Sequence, residues 1–357
     1  PTPNLHLATL PIYEPGRPIE EVARELGLDP SAIIKLASNE NPIGPSPKAL
    51  EAMRQASLQA HVYPDGNGFL LRQALARKHG VAMGQVVLGN GSNEIIELLG
   101  HAYLAPNDEM VISQYAFAIY EIVGKLFQAK IIEAPARDYG HDLDAMRRVV
   151  TGRTRLIFVA NPNNPTGTAV AAEKLRRFIS QVPVHTLVVL DEAYQEFLPD
   201  PLDSPSLIAQ HPNLVIMRTF SKAQGLAGLR IGYGLASIEV ASALQKVRQP
   251  FNANLMAQAA ALAALGDDAH IRKTVKMVAE GRVWLENELR KRKLPFVPSS
   301  ANFIMMKVGD GKKVFEQLLR KGVIVRPMHG YKLPEWIRVT IGAPSQNQKF
   351  LQALDSK

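Results

Sequence analysis

The sequence predicts an α/β fold: a large domain with a mostly parallel central sheet flanked by helices, plus a smaller α+β domain. Three observations point to it. Between residues 85 and 236, short apolar runs alternate with longer segments of 3.6-residue period, as expected of buried strands joined by crossover helices. Long helical patterns occupy 255–293, and the last sixty residues mix strand and helix candidates without that alternation. The chain, at 357 residues, also exceeds one average domain. The expected division is an N-terminal arm with part of the small domain at 1–45, a large cofactor-binding domain at 46–265 and a small C-terminal domain at 266–357.

Taken in order, a proline-rich arm leads to a short helix candidate, "IEEVARELGL" (19–28), and then to the loop "SNENPIGPSP". Helical patterns cover 47–59 and 69–79. The alternation follows: "QVVL" as strand, "NEIIELLGHAYL" as helix, "EMVIS" as strand, "FAIYEIVGKLF" as helix and "AKIIEAP" as strand. It continues with "DLDAMRRVV" helical, "RLIFVA" extended, "VAAEKLRRFISQ" helical and "TLVVLDEA" extended. "NLVIMRTF" and "LRIGYGLA" close this series as strands. Toward the end, "NFIMMKV", "GVIVRP" and "EWIRVTIG" are strand candidates, with helices expected at 311–320 and 344–354.

Composition narrows the function classes. A 46% hydrophobic, 21% charged chain is an ordinary globular one. The absence of cysteine excludes a disulfide framework, a thiolate metal site and a cysteine nucleophile, and no metal site is expected. No apolar run approaches the ~20 residues of a membrane helix. The opening residues lack a basic region followed by an apolar stretch, so a cytoplasmic protein without membrane partners is expected. The net charge is +8, yet basic and acidic residues are interspersed and no basic run exceeds "RKRK" at 290–293. That run ends the amphipathic pattern "VAEGRVWLENELRKRK", where cations suit a helix C-terminus. Small anionic ligands, not nucleic acid, are the expected partners.

Four motifs hold the chemistry. "LGNGSNE" (88–94) joins a strand to a helix whose free N–H groups suit an anion. It half-matches a dinucleotide fingerprint, but Glu94 stands where the third glycine belongs. "NPNNPTG" (161–167) makes a rigid turn at a strand end. "TLVVLDEAY" (186–194) ends a buried strand in Asp191 and Glu192; a P-loop ATPase would use such carboxylates for magnesium, but no GxxxxGK[ST] is present. "TFSKAQGLAGLRIG" (219–232) sets Lys222 behind two hydroxyls and before Arg230. Strand ends of an open α/β sheet converge on one crevice. They would supply a helix N-terminus, hydroxyls and an arginine for a phosphate, a carboxylate and an amide for a ring, and an amine. That set suits pyridoxal 5'-phosphate, which needs a lysine Schiff base and an acid at its pyridinium nitrogen.

The ordered set "NPNNPTG", "DEAY" and "SKAQGLAGLRIGY" resembles the fold-type I aminotransferases that use pyridoxal phosphate. "LPIYEPGRP", "IIKLASNENPIGPSP", "YPDG", "GHDLDAM" and "WIRVTIG" are similar to the histidinol-phosphate branch of that family, and the likeness runs from about residue 10 to the end. The resemblance implies that Lys222 forms the Schiff base and later shuttles a proton, that Asp191 keeps the pyridine nitrogen protonated, and that Tyr194 and Asn164 bond the ring oxygen. It implies that Phe117 stacks on the ring, and that Ser92, Asn93, Thr219, Ser221 and Arg230 hold the phosphate. Tyr63 would reach the cofactor phosphate of a neighbouring subunit, making a homodimer with shared active sites. Arg338, with Tyr13, Asn164 and Arg326, would bind the substrate's phosphate or carboxylate.

By the same resemblance the expected reaction exchanges an amino group between L-histidinol phosphate and 2-oxoglutarate in histidine biosynthesis. Aromatic amino-acid transamination and threonine-phosphate decarboxylation are alternatives on the same cofactor, and a non-catalytic pyridoxal-phosphate-binding regulator is one from another class. Two positions depart from the family pattern: Gln224, where a phenylalanine is expected, and Asn93, where Asp is common. Gln224 is expected to alter packing beneath Lys222.

Overall fold

The computed structural model describes residues 2–356. Helix α1 (Ile19–Leu26) stops at Gly27, which takes the left-handed conformation that a helix C-terminus favours in glycine. Strand β1 (Ile34–Lys35) precedes α2 (Pro47–Ser57), where the Ser46 hydroxyl accepts from the Ala49 N–H and Pro47 opens the helix. After α3 (Phe69–His79) the alternation begins, with β2 (Val86–Gly89), α4 (Ser92–Tyr103), β3 (Glu109–Ser113), α5 (Ala118–Leu126) and β4 (Lys130–Ala134). A small ribbon of β5 (Ala136–Arg137) and β6 (Gly140–His141) leads to α6 (Leu143–Arg148), β7 (Thr154–Ala160), α7 (Ala172–Gln181), β8 (Leu187–Asp191), β9 (Leu214–Thr219) and β10 (Gly232–Leu235). Then come α8 (Ile238–Val247), α9 (Leu255–Leu265), α10 (Asp268–Lys291), β11 (Phe296–Val297), β12 (Phe303–Lys307) and α11 (Gly311–Arg320). The chain closes with β13 (Val323–Ile324), β14 (Arg326–Pro327), β15 (Trp336–Thr340) and α12 (Pro344–Asp355).

The central sheet has the order β2-β10-β9-β8-β7-β3-β4, parallel throughout except for β10, which runs against both neighbours. The mostly parallel sheet expected from the sequence is therefore present. Its inner strands are almost wholly apolar because both faces are covered. Along β8, Val188 and Leu190 face one core with α3, α7 and α9, while Leu187 and Val189 face the other with α4, α5 and α8. The same period of two runs through β7 and β9.

A second, antiparallel sheet has the order β11-β12-β15-β14, and its core against α10, α11 and α12 also takes in Leu36, Tyr194 and Ala223. Strand β1 pairs in parallel with β13, so the loop after β1 is held against this sheet.

Some elements differ from expectation. Helix α8, capped by the Ser237 hydroxyl, follows β10 in a stretch for which the sequence reading assigns no element. The helical stretch 255–293 divides at Gly266 and Asp267, the latter capping α10. In the basic run, Arg290, Lys291 and Arg292 are engaged with Glu286, Glu288 and Asp355. Among the described residues, no helix is long and apolar enough to cross a membrane.

Candidate active site

The carboxyl ends of β2, β7, β8 and β9 open on one cleft of about 660 Å³. Because β10 runs the other way, its amino end and the preceding Arg230 come to the same edge, with Gly232 opposite both Gly89 and Thr219. Ligands bind at this edge in open α/β sheets.

Asp191, the last residue of β8, is 7% exposed. Its Oδ2 accepts the Tyr120 hydroxyl at 2.6 Å and its Oδ1 accepts the Ala193 N–H at 3.1 Å. Burial raises the Asp191 pKa, and these two donors oppose the rise. Tyr120 is fully buried on the first turn of α5; burial and the adjacent carboxylate keep its phenol protonated.

Lys222 lies in the loop after β9. Its Nζ donates to the Ser38 carbonyl at 3.2 Å and sits 5.5 Å from the centre of the Tyr194 ring. Burial pushes the amine down to about 8, with Arg338 and Arg230 adding to the effect and Glu40 opposing it. Such a lysine has an appreciable neutral fraction near neutral pH, which a nucleophile or proton carrier requires. The Tyr194 hydroxyl accepts from Asn39 Nδ2 at 2.9 Å. Asn39 is itself locked: its φ is 56°, its N–H donates to Thr340 at 3.0 Å and its carbonyl accepts from Asn302 at 3.0 Å.

The three asparagines of "NPNNPTG" have separate tasks. Asn161 closes the loop through both atoms of its amide onto Val170. Asn163 donates to the Tyr115 carbonyl and the Thr166 hydroxyl. Asn164 alone of the three lines the cleft, where its Oδ1 accepts from Arg338 Nη1. Arg338, buried on β15, also donates from Nη2 to the Ala37 carbonyl at 2.7 Å, and its guanidinium lies 5.2 Å from the Phe303 ring centre. Its Nε has no partner.

An anion cradle forms at the start of α4. This helix begins at Ser92 without a side-chain cap, leaving first-turn N–H groups of the kind that hold phosphates. Beside it, the Thr219 hydroxyl donates to Ser221 at 3.0 Å and Arg230 Nη1 donates to Ser221 Oγ at 3.4 Å. Two glycines make room: a Cβ on Gly91 would overlap the Arg230 guanidinium, and one on Gly232 would overlap the Ser92 nitrogen. Phe117 and Asn93 also line the cleft, as do Tyr13 and Arg326. Arg326 donates to the Glu14 carbonyl at 2.6 Å and lies 5.7 Å from the Tyr13 ring centre.

Of the residues to which the resemblance gives a cofactor or substrate role, Tyr63 alone stays outside this cleft. It is 79% exposed and stacks on Phe251 with ring centres 4.7 Å apart. Sequence reasoning passed over Tyr120 and Asn39. Tyr120 stands one helical turn after Phe117 in "YAFAIY", and Asn39 lies in "SNENP"; the first spacing is a usable signal, whereas nothing local marks which asparagine meets Tyr194.

The comparisons with known proteins agree on one family. Residues 31–354 match the model for aminotransferase class I and II. The chain belongs to that family. This aminotransferase is 51% identical to a histidinol-phosphate aminotransferase of Akkermansia muciniphila, over 98% of its own length and 97% of that protein's. It is 52% identical to histidinol-phosphate aminotransferase 2 of Pseudomonas aeruginosa, over 96% and 94% of the two chains. Among solved structures it resembles the histidinol-phosphate aminotransferase of Sinorhizobium meliloti in complex with pyridoxal-5'-phosphate, with a TM-score of 0.89 at 29% identity, covering 98% and 95% of the two chains.

The donor set of this aminotransferase fits a pyridine aldehyde phosphate. It offers an amine of lowered pKa, a buried carboxylate, a helix N-terminus and an arginine, and the Asn164 amide nitrogen is left over after its oxygen has accepted from Arg338. Gln224, the departure noted in the sequence, makes a specific bond: its Nε2 donates to Glu196 Oε1 at 3.0 Å.

Proposed function

We propose that this aminotransferase uses pyridoxal 5'-phosphate to exchange the amino group of L-histidinol phosphate with 2-oxoglutarate. In histidine biosynthesis it would run from imidazole-acetol phosphate and L-glutamate. The observation that carries the reading is one cleft holding Lys222 and Asp191 together with two distinct anion binders, Arg230 at the α4 cradle and Arg338 beside Arg326. One suits the cofactor phosphate; the other suits a substrate that brings its own phosphate or, for glutamate, a carboxylate. A planar guanidinium accepts either. The names of relatives at about half identity over nearly the whole chain support the same substrate.

When bound, the cofactor supplies an electron sink that stabilises negative charge at the substrate Cα. The protein's side chains do the rest. Lys222 would hold the cofactor through its amine, and the same amine would carry the proton taken from the substrate Cα. Asp191 would hold a proton at the ring nitrogen, with the Tyr120 and Ala193 donors opposing the effect of burial on its carboxylate. Tyr194 and the Asn164 amide donate to the ring oxygen, and Phe117 covers the ring face. Ser92, Asn93, Thr219, Ser221 and Arg230 bind the cofactor phosphate. Tyr13, Asn164, Arg326 and Arg338 orient the substrate.

The reading includes a homodimer in which Tyr63 serves the cofactor phosphate of the partner subunit. Its exposure, with Leu58, Val62 and Leu70 exposed in the same stretch of sequence, supports this. It also divides the chain near residues 45 and 265, supported by the separate cores of the two sheets, and assigns the reaction to the cytoplasm. Borohydride reduction of the loaded protein followed by peptide mapping tests the anchor. The pyridoxyl mass is expected on Lys222 and lost in Lys222→Ala; the same mass on another lysine would overturn the assignment.

A further inference from the structure

Glu192 and Glu196 stand two residues to either side of Tyr194, and neither lines the cleft. Each meets a partner that flanks Lys222. Glu192 Oε2 accepts from Arg218 Nε and Nη2, both at 2.8 Å. Glu196 Oε1 accepts from Gln224 Nε2 at 3.0 Å. The segments 192–196 and 218–224 are thus joined at both ends, with the Lys222–Tyr194 contact between the joints.

The first joint is continued by His79, whose Nδ1 is 3.3 Å from Arg218 and whose Nε2 is 2.9 Å from the Tyr233 hydroxyl. The second joint is less well satisfied. Gln224 Oε1 is buried without a partner, and burial raises the Glu196 pKa. An apolar side chain at 224, the type expected from the resemblance, would leave no orphan acceptor. A buried unpaired polar atom is destabilising, so packing alone does not favour an amide here.

We propose that Gln224 and Glu196 are a positioning pair that fixes Lys222 against Tyr194 from below and thereby sets the reactivity of its amine. The functional weight of that amine rests on the reading given above. The groups that act on Lys222 are Arg338, Arg230, Glu40, Tyr13 and Asp191, and those that act on Glu196 are Gln224, Arg218 and Glu192. If the Gln224–Glu196 joint opens, the Lys222 loop is released on one side. The amine then moves toward water and away from the two arginines, and it titrates higher.

The test uses the full chain in four variants: Gln224→Leu, Glu196→Leu, the Leu/Leu double variant and the exchanged pair Glu196→Gln with Gln224→Glu. The pH dependence of Lys222 acetylation by acetic anhydride is read by peptide mass spectrometry on protein freed of cofactor. Transamination by the holoenzyme is measured in parallel. Both single variants and the Leu/Leu variant are expected to move the acetylation midpoint upward by about half a unit or more. Their kcat is expected to fall about 3- to 10-fold, with KM changed less than about 2-fold. The exchanged pair restores both values.

A purely structural pair would recover in the Leu/Leu variant, where matched apolar groups restore packing. Recovery of the midpoint there, or no shift in the single variants, would overturn the proposal. If a single variant fails to fold, the Leu/Leu and exchanged pairs still separate the two outcomes. The acetylation readout needs neither cofactor nor substrate. A wild-type protein without transaminase activity would therefore contradict the proposed function and leave this test standing.

Discussion

The Tyr120 hydroxyl donates to Asp191 Oδ2 over 2.6 Å, with both side chains buried. A phenol so placed cannot take the negative charge, so it acts on the carboxylate as a fixed donor. A hydrogen bond to a charged group contributes about 1.5–3 kcal/mol. Tyr120→Phe is therefore expected to weaken cofactor binding about 10- to 100-fold, because an acid pushed toward its neutral form no longer supports a protonated ring nitrogen. Titration of the cofactor-free protein with pyridoxal phosphate measures this; an unchanged Kd would rule out the role.

Arg338 serves Asn164 and the Ala37 carbonyl with different nitrogens, which a lysine ammonium cannot reproduce in the same plane. Arg338→Lys should lower kcat/KM about 10- to 100-fold, about 1.4–2.8 kcal/mol, mainly through KM for both anionic substrates. Steady-state kinetics with each substrate varied in turn gives the answer. A loss confined to kcat would point away from substrate binding.

Gly91 has φ 77° and ψ 163°, a region essentially reserved for glycine. In Gly91→Ala the backbone strain amounts to about 1–3 kcal/mol, and the new methyl also displaces the Arg230 guanidinium. The variant should lose affinity for pyridoxal phosphate by more than for pyridoxal, which lacks the phosphate. Equal losses for the two would separate Gly91 from the anion cradle.

The buried amine of Lys222 has a pH signature in stability. Its pKa is about 8 in the folded chain and 10.5 is the ordinary value. Between these values the unfolded chain binds the proton and the folded chain does not, so folding gains stability as pH rises from about 8 to 10.5. Below that window the charged amine carries its full burial cost. Lys222→Met should stabilise the cofactor-free protein by about 2 kcal/mol at neutral pH, allowing for the partial exposure of the side chain, and the gain should fade toward pH 10.5. Urea unfolding of both proteins across this range checks it, and a pH-independent difference would contradict it.

Much of this molecule can be read from the sequence, for physical reasons. Parallel strands covered on both faces leave short apolar runs, so β7, β8 and β9 stand out from the helical segments between them. Glycine and proline turns at their ends mark the cleft, which is why Asn164, Asp191 and Lys222 are recognisable as a set. The α8 helix was missed because its pattern follows β10 directly, with only the Ser237 cap as a signal. Partners set by tertiary contact were also missed. Asn39 meets Tyr194 across 155 positions and Tyr120 meets Asp191 across 71, distances over which no periodicity speaks. Gln224 was noticed only as a departure, because its partner Glu196 lies 28 positions away.

The most direct measurement of the central claim is a single half-reaction. The protein is loaded with pyridoxal phosphate and mixed separately with L-histidinol phosphate, L-tyrosine and threonine phosphate while the cofactor's visible band is followed. Conversion to the pyridoxamine form by histidinol phosphate is expected at far lower concentration than by tyrosine. A preference for tyrosine, or carbon dioxide release from threonine phosphate, would contradict it.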